Sequence, residues 1–422
     1  MRTRWMTALL CCVATLCAHG VAAGQTTYYV RATGDNGNAG TSPAQAWGTV
    51  EHAVRQLQAG DTLWIGAGTY EGRVKPENTG TAEDPITIRG DVTGAQTGDA
   101  GSVILERSKH GLVNVQGVSH VRFADLVLRG NTGNVLSMRD AQHVRFQRCE
   151  FIGGTTDVIA VPRTWVEVTL IDCVVHGGAQ DLIQVNQGGT LTMIGGTLRN
   201  SGADAVKLDG GHVTLTGVTM HDIAGAGVNS PLNKQTRATL DRVVIRDAQY
   251  GIKFNRGEAI LDGCVIHDTS SRGVELGSLG PSVTIRNSTI VRTGSDGIYL
   301  GKGGANITNT IVAHTNGYGI EKHKQNWATI TQSNNLYWDN SLGPAGPIIG
   351  TPGGNVVLGD PHFAGTDDFS LQVASPAIDA GADRDGVVID MVGIARPVGD
   401  GVDIGAYEYA TALPPMVTLP YR

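Results

Sequence analysis

The sequence predicts an all-β fold, a parallel β-helix with three short strands per turn and a repeat of about 23 residues. Three observations carry this prediction. An apolar pattern returns at a nearly constant interval, glycine is abundant at 59 of 422 residues while Val, Ile and Thr outnumber good helix formers, and a turn-prone residue recurs at one place in each repeat. The pattern reads directly in "HVRFADLVL", "HVRFQRCEF", "EVTLIDCVV", "TLTMIGGTL", "HVTLTGVTM", "ATLDRVVI", "AILDGCVI", "SVTIRNSTI" and "ANITNTIV". Each holds an apolar pair two residues apart, which puts both side chains on one strand face, then a polar or glycine break and another apolar residue.

The first strand of each repeat centres on Phe123, Phe146, Leu170, Met193, Leu215, Leu240, Leu261, Ile285 and Ile307, in steps of 21 to 25 residues. The second strand supplies an apolar partner five residues later, from Leu128 to Val312. The third centres on Leu136, Ile159, Ile183, Val206, Val228, Ile252, Val274, Ile298 and Ile320. One such turn cannot bury its apolar face alone, but a stack of turns forms a continuous core. The break after the first strand holds Asp125, Asp172, Gly195, Gly217, Gly263, Asn287 and Asn309, with Arg148 and Arg242 as exceptions. Gly, Asn and Asp tolerate left-handed backbone, so a sharp corner is expected there.

Four segments follow from this reading. Residues 1–23 carry Arg2 and Arg4, an apolar run from about Met6 to Cys17, and small residues ending at Ala23, the pattern of a cleavable signal peptide. Residues 24–85 form an N-terminal cap and first turns, with Val50, Ala53, Val54 and Leu57 at helical spacing and Gly60 placed to end the helix. Residues 86–340 form the β-helix and 341–422 a closing segment. No later stretch is apolar enough to span a bilayer, so the expected location is secreted or periplasmic. A net charge of −7 argues against a basic nucleic-acid surface. Beyond the signal only Cys149, Cys173 and Cys264 remain, an odd and poor disulfide framework, and they read as small buried apolar side chains.

These repeats, the opening "YYVRATGDNGNAGTSPAQAWGTVEHAVRQLQAGDTLWIGAGTY" and the tail "SPAIDAGADRDGVVIDMVGIARPVGDGVDIGAYEY" resemble the right-handed parallel β-helix proteins of the pectate-lyase-like superfamily. The resemblance implies a substrate groove along the outward face of the third strand. The outward residue after each central apolar one runs Gln184, Lys207, Asn229, Lys253, Glu275 and Tyr299, and two further on lie Asn186, Asp209 and Asn255. Together they would make a polar face about 20 Å long, suited to a few units of an acidic polysaccharide.

Cleavage of a uronate polymer by β-elimination needs a base and a neutralised carboxylate. Lys253 and Lys207 are the candidate bases, on the expectation that a cationic neighbourhood lowers a lysine pKa. Arg256 and Lys234, in the following loops, would neutralise a carboxylate, assisted by Asn229. A stacked column of Asp157, Asp181 and Asp204 would repel itself, and calcium is one remedy; the alternative is turn capping through backbone N–H groups. "NSPLNKQ" and "IKFNRG" resemble the basic loops of chondroitinase-B-like alginate lyases, but Gly227 and Asn229 stand where calcium-holding glutamates would be.

Other chemistries stay open. Hydrolysis would need a carboxylate pair such as Asp181 with Asp204 or Asp209 with Glu275. Epimerisation shares the proton abstraction, and "DPH" at 360–362 resembles an epimerase motif within what reads as a structural turn. A β-helix that only binds glycan or supports an envelope is the non-catalytic alternative. The acidic tail residues with Arg396 read as a buried ion-pair network, and His176, His221 and His267 as surface residues.

Overall fold

Alternating apolar positions on short strands leave a face that must be covered, and here all the faces are covered by one another around a common axis. The structure, a computed structural model, describes residues 24–108, 111–162, 165–231, 234–323, 328–383 and 389–410. The signal-peptide reading lies outside these residues. A 13-stranded parallel sheet collects the first strand of every turn, from Thr27–Val30 and Thr62–Ile65 to Thr329–Ser333. The stack therefore begins well before residue 86. Second and third strands share a 22-stranded sheet. They are joined because two long strands, Thr219–Ser230 and Val244–Phe254, keep pairing around the corner where other turns break into separate strands, with left-handed backbone at Asp222 and Asp247 and a register shift after Ile223.

The predicted apolar column is a true column. Phe123, Phe146, Leu170, Met193, Leu215 and Leu240 are successive Cα partners, and all are buried. Phe123 and Phe146 stack with ring centroids 4.6 Å apart. The corner after the first strand is left-handed in every repeat, with φ from 47° at Asn287 to 64° at Gly195. Arg148 and Arg242 adopt it too, at 49° and 52°. Such backbone costs an ordinary residue roughly 1–2 kcal/mol. Arg148 offsets part of this by a two-pronged bond to Asp125 one turn away, at 2.7 and 2.8 Å. A second left-handed position falls three residues after the start of the second strand, at Asn200, Asp222, Asp247, Asp268, Arg292 and His314, and the two long strands contain it as well.

The N-terminal helix spans Val50–Gln56, capped by the Thr49 hydroxyl accepting from the His52 N–H at 3.3 Å. It buries Val50, Ala53 and Val54. Its end differs from expectation. Leu57 is already extended and fully buried, so packing of Leu57 stops the helix before Gly60 is reached. Cys149, Cys173 and Cys264 are free and buried, as expected of small apolar side chains.

The tail does more than close an open end. Phe369, Leu371, Ala377, Ile404 and Ala406 form a second apolar cluster with Val265, Val291, Ile311 and Ala313 on the outside of the second strands. This explains a correction: His267 is buried, not on the surface, because Phe369 packs against its ring at 5.0 Å while its Nδ1 lies 2.6 Å from Asp268 Oδ2. "DPH" is a turn, with Asp360 Oδ1 accepting from the His362 N–H at 2.8 Å.

The tail is fastened by a buried polar knot. Arg396 donates to Glu408 at 2.8 Å and to the carbonyls of Asp403 and Gly405, at 3.1 and 2.8 Å. Asp390 accepts from the N–H groups of Val392, Ile394 and Glu408, and Asp403 from those of Asp379 and Tyr409. Burial lifts the Glu408 carboxyl to about 7 despite Arg396. Removing one member leaves buried charge without its partner. Arg396→Met is therefore expected to cost about 3–5 kcal/mol in urea unfolding, with Arg396→Met/Glu408→Leu recovering part of the loss.

Candidate functional site

Parallel pairing places residues one turn apart on adjacent strands, roughly 4.8 Å from each other. Gln184, Lys207, Asn229, Lys253, Glu275 and Tyr299 are successive Cα partners along the third-strand ladder. Each is half-buried between inward apolar neighbours, as Lys207 is between Val206 and Leu208. Asn186 and Asp209 are partners in the adjacent outward column. Asn255 ends the Val244–Phe254 strand and donates to the Pro231 carbonyl at 3.1 Å. Lys234 comes back from its loop to meet Asp209, Nζ to Oδ1 at 2.7 Å. Arg256 stands in the next loop, where its carbonyl accepts from the Ser230 and Thr236 hydroxyls, both at 3.0 Å. The predicted residues thus share one side of the molecule.

The aspartate column is also real, but its carboxylates serve the coil. Asp157 Oδ1 accepts from the Asp181 N–H at 3.3 Å, Asp181 Oδ1 from the Asp204 N–H at 3.0 Å, and Asp204 Oδ1 from the Ala226 N–H at 2.8 Å. The second oxygens of Asp181 and Asp204 are taken as well. Lys207 Nζ sits 3.1 Å from Asp181 Oδ2, and Asn229 Nδ2 donates to Asp204 Oδ2 at 2.7 Å. Among the described residues no three acidic, histidine or cysteine side chains converge as a metal site. Asp157, Asp181 and Asp204 as placed do not fit calcium, which takes six or more oxygens.

This changes the reading of Lys207. Its surroundings are anionic, not cationic. Burial works to lower its pKa, but the Asp181 bond and the charges of Asp181, Asp204 and Asp157 outweigh burial and leave it raised. A lysine held protonated is a poor base and a good electrostatic anchor.

Lys253 sits differently. Its Nζ lies 4.1 Å above the Tyr250 ring and 3.5 Å from Glu275 Oε1. Glu275 is held more closely by Arg272, at 2.7 Å through Oε2. Arg272 also bonds Asp296 at 3.2 Å and covers the Tyr299 ring at 3.8 Å. Arg272 and Tyr250 were not singled out from sequence, although both fall in the column that holds the aspartates. Beyond Tyr299 comes Glu321, whose Oε2 is buried without a hydrogen-bond partner. Burial raises its pKa, with Asp296 adding to the effect. Gly346 makes room for it, since a Cβ there would overlap Oε2.

The family model for the right handed beta helix region matches residues 205–360. Among solved structures, the chain is similar to pectate lyase Pel9A at 15% identity, covering 92% of this chain and 97% of that one, TM-score 0.54. It is also similar to XylC in complex with xylose at 10% identity, covering 80% and 87%, TM-score 0.55. No curated protein matches. At these identities the likeness establishes the fold: the chain is a right-handed parallel β-helix. Among the described residues no helix is long and apolar enough to cross a membrane.

A pH dependence follows from the aspartates. Burial raises the Asp157 and Asp204 pKa values above the ordinary 3.8, so the folded chain keeps these protons to higher pH than the unfolded chain does. Between 3.8 and the raised folded values, both sites therefore lower stability as pH rises. Asp157→Asn keeps the acceptor for the Asp181 N–H and removes the charge. Urea midpoints should fall less for this variant than for the parent as pH is raised through that window.

Proposed function

We propose that the chain is a carbohydrate-active β-helix protein, secreted or periplasmic, that binds acidic polysaccharide along the third-strand face and cleaves it by β-elimination. The observation that supports this reading is the unbroken column from Gln184 to Tyr299, with cations at Lys207 and Lys253 two turns apart. Lys207 with Asn229 neutralises a uronate carboxylate, and Lys234 and Arg256 stand at the rim to engage neighbouring units. Lys253 is the base. Arg272 draws the charge of Glu275 towards itself, which weakens the hold of Glu275 on the Lys253 ammonium.

In the proposed step, Lys253 acts as its neutral amine and takes the proton from the carbon beside the carboxylate, becoming the ammonium. The freed electron pair forms a carbon–carbon double bond, the glycosidic C–O bond breaks, and the departing oxygen takes up a proton from solvent water, while the Lys253 ammonium returns its proton to solvent. Gln184, Asn186, Asp209, Asn255 and Tyr299 position the chain. Calcium has no part in this scheme.

Glu275 and Glu321 support a second reading, hydrolysis. They occupy one column with Tyr299 between them, and Glu321, half-buried with its pKa raised by burial, is the more easily protonated kind of carboxyl that a general acid requires. Asp181 and Asp204 are less suited, being only 2% and 8% exposed and committed to backbone N–H groups.

The test is to offer polygalacturonate, alginate and glycosaminoglycans and follow the absorbance of unsaturated uronate ends. Lys253→Ala is expected to lower turnover by about 10²–10⁴-fold, Lys207→Ala to raise KM, and a chelator to change nothing. Turnover unchanged in Lys253→Ala ends the assignment of the base. New reducing ends without absorbance, lost in Glu321→Gln, would establish hydrolysis instead. Binding without product would leave a glycan-binding β-helix.

A further inference from the structure

The outward side of the first-strand sheet carries a charge arrangement that the third-strand column does not use. Its central column reads Thr62, Thr87, Arg122, Arg145, Thr169 and Thr192, each the Cα partner of the next. Two arginines thus stand directly opposite each other on adjacent strands, where like charges are unfavourable. Among the described residues neither has an ion-pair or hydrogen-bond partner for its side chain, and the Arg145 Nε is buried with its hydrogen unmatched. Arg89 and Arg148 stand beside them at a groove of about 600 Å³. No acidic side chain lines that groove among the described residues. The nearest carboxylate, Asp125, is already shared by Arg148 at 2.7 and 2.8 Å and Arg89 at 3.2 Å. Four guanidinium groups therefore have one hydrogen-bonded carboxylate among them, with the charge of Asp172 acting on Arg148 besides, in a chain whose net charge is −7.

We propose that this groove is a second binding site, separate from the third-strand face, for the carboxylate or sulfate groups of an anionic polysaccharide. Guanidinium groups pair with such oxyanions through parallel N–H bonds, and a bound oxyanion removes the repulsion between Arg122 and Arg145. The Arg89 guanidinium lies over the Trp64 ring, 4.4 Å from its centroid, which holds Arg89 in place at the groove wall. Threonine hydroxyls continue the column on both sides, so a chain longer than one sugar meets polar partners along its length. The acidic-polysaccharide reading supplies the ligand's identity; the groove itself does not depend on any cleavage elsewhere.

The experiment is affinity electrophoresis of the full chain through gels holding polygalacturonate, heparin or neutral dextran, at about 50 and about 500 mM salt. The parent should be retarded by a polyanion at low salt, and not by dextran. Arg122→Ser/Arg145→Thr, which extends the threonine column, should weaken that retardation by about tenfold or more while leaving cleavage of short soluble oligosaccharides intact. Arg122→Gln, at an exposed position, should weaken it several-fold and guards against misfolding of the double variant. Lys207→Ala/Lys253→Ala should lose cleavage and keep most of the retardation, which separates failure of the catalytic reading from failure of this one. Retardation by heparin alone assigns sulfate, and by polygalacturonate alone carboxylate. Equal retardation of the parent and both arginine variants, or none of the parent by either polyanion, overturns the proposal.

Discussion

Vertical register is the constraint on which the rest of this molecule depends. Each strand satisfies its backbone N–H and carbonyl groups with the turns above and below, so a side chain at a given place in one repeat lies about 4.8 Å from its counterpart in the next. The left-handed corner after each first strand keeps that register through repeats of unequal length. Arg148 and Arg242 take the strained backbone at this corner because the coil would otherwise slip. Chemistry on such a scaffold arrives in columns, and a column of like charges has to be resolved.

The molecule resolves its columns in different ways. In the aspartate column each carboxylate accepts from the N–H of the next turn, and Lys207 and Asn229 take the second oxygens of Asp181 and Asp204. On the third-strand face, Lys253 and Glu275 meet Arg272 and Asp296 of the neighbouring column, and these four hold one another in place before any ligand arrives. In the tail, Arg396 and Glu408 are sealed together and their neighbours are satisfied by backbone. Only the Arg122 and Arg145 column lacks an internal solution among the described residues.

Much of this was legible in the repeat. The core columns, the corner residues and the face shared by Gln184, Lys207, Asn229 and Lys253 follow from a fixed interval and strand alternation, which depend on sequence order alone. What escaped depends on contacts between neighbouring columns. Lys207 was read against the lysines and amides of its own column, whereas Asp181 and Asp204 belong to the column beside it and set its charge state. His267 looked exposed because nothing local reveals that Phe369, a hundred residues later, will cover it. The helix end was misplaced for the same reason, since Leu57 answers to the core and not to helical spacing. For Arg122 and Arg145 the signal was present: "HVRF" occurs in two successive repeats, and a duplicated arginine in a coil is necessarily a stacked one.

The two long strands, Thr219–Ser230 and Val244–Phe254, have a mechanical meaning. Elsewhere the second and third strands are separate pieces joined by a corner, and a solenoid built of such pieces can fray turn by turn from either end. In mid-stack these strands carry their pairing around the corner at Asp222 and Asp247, and so tie two walls of the coil into one bent panel. Asn229 and Lys253 are borne on that panel, so the centre of the proposed groove sits where the spring is hardest to uncoil.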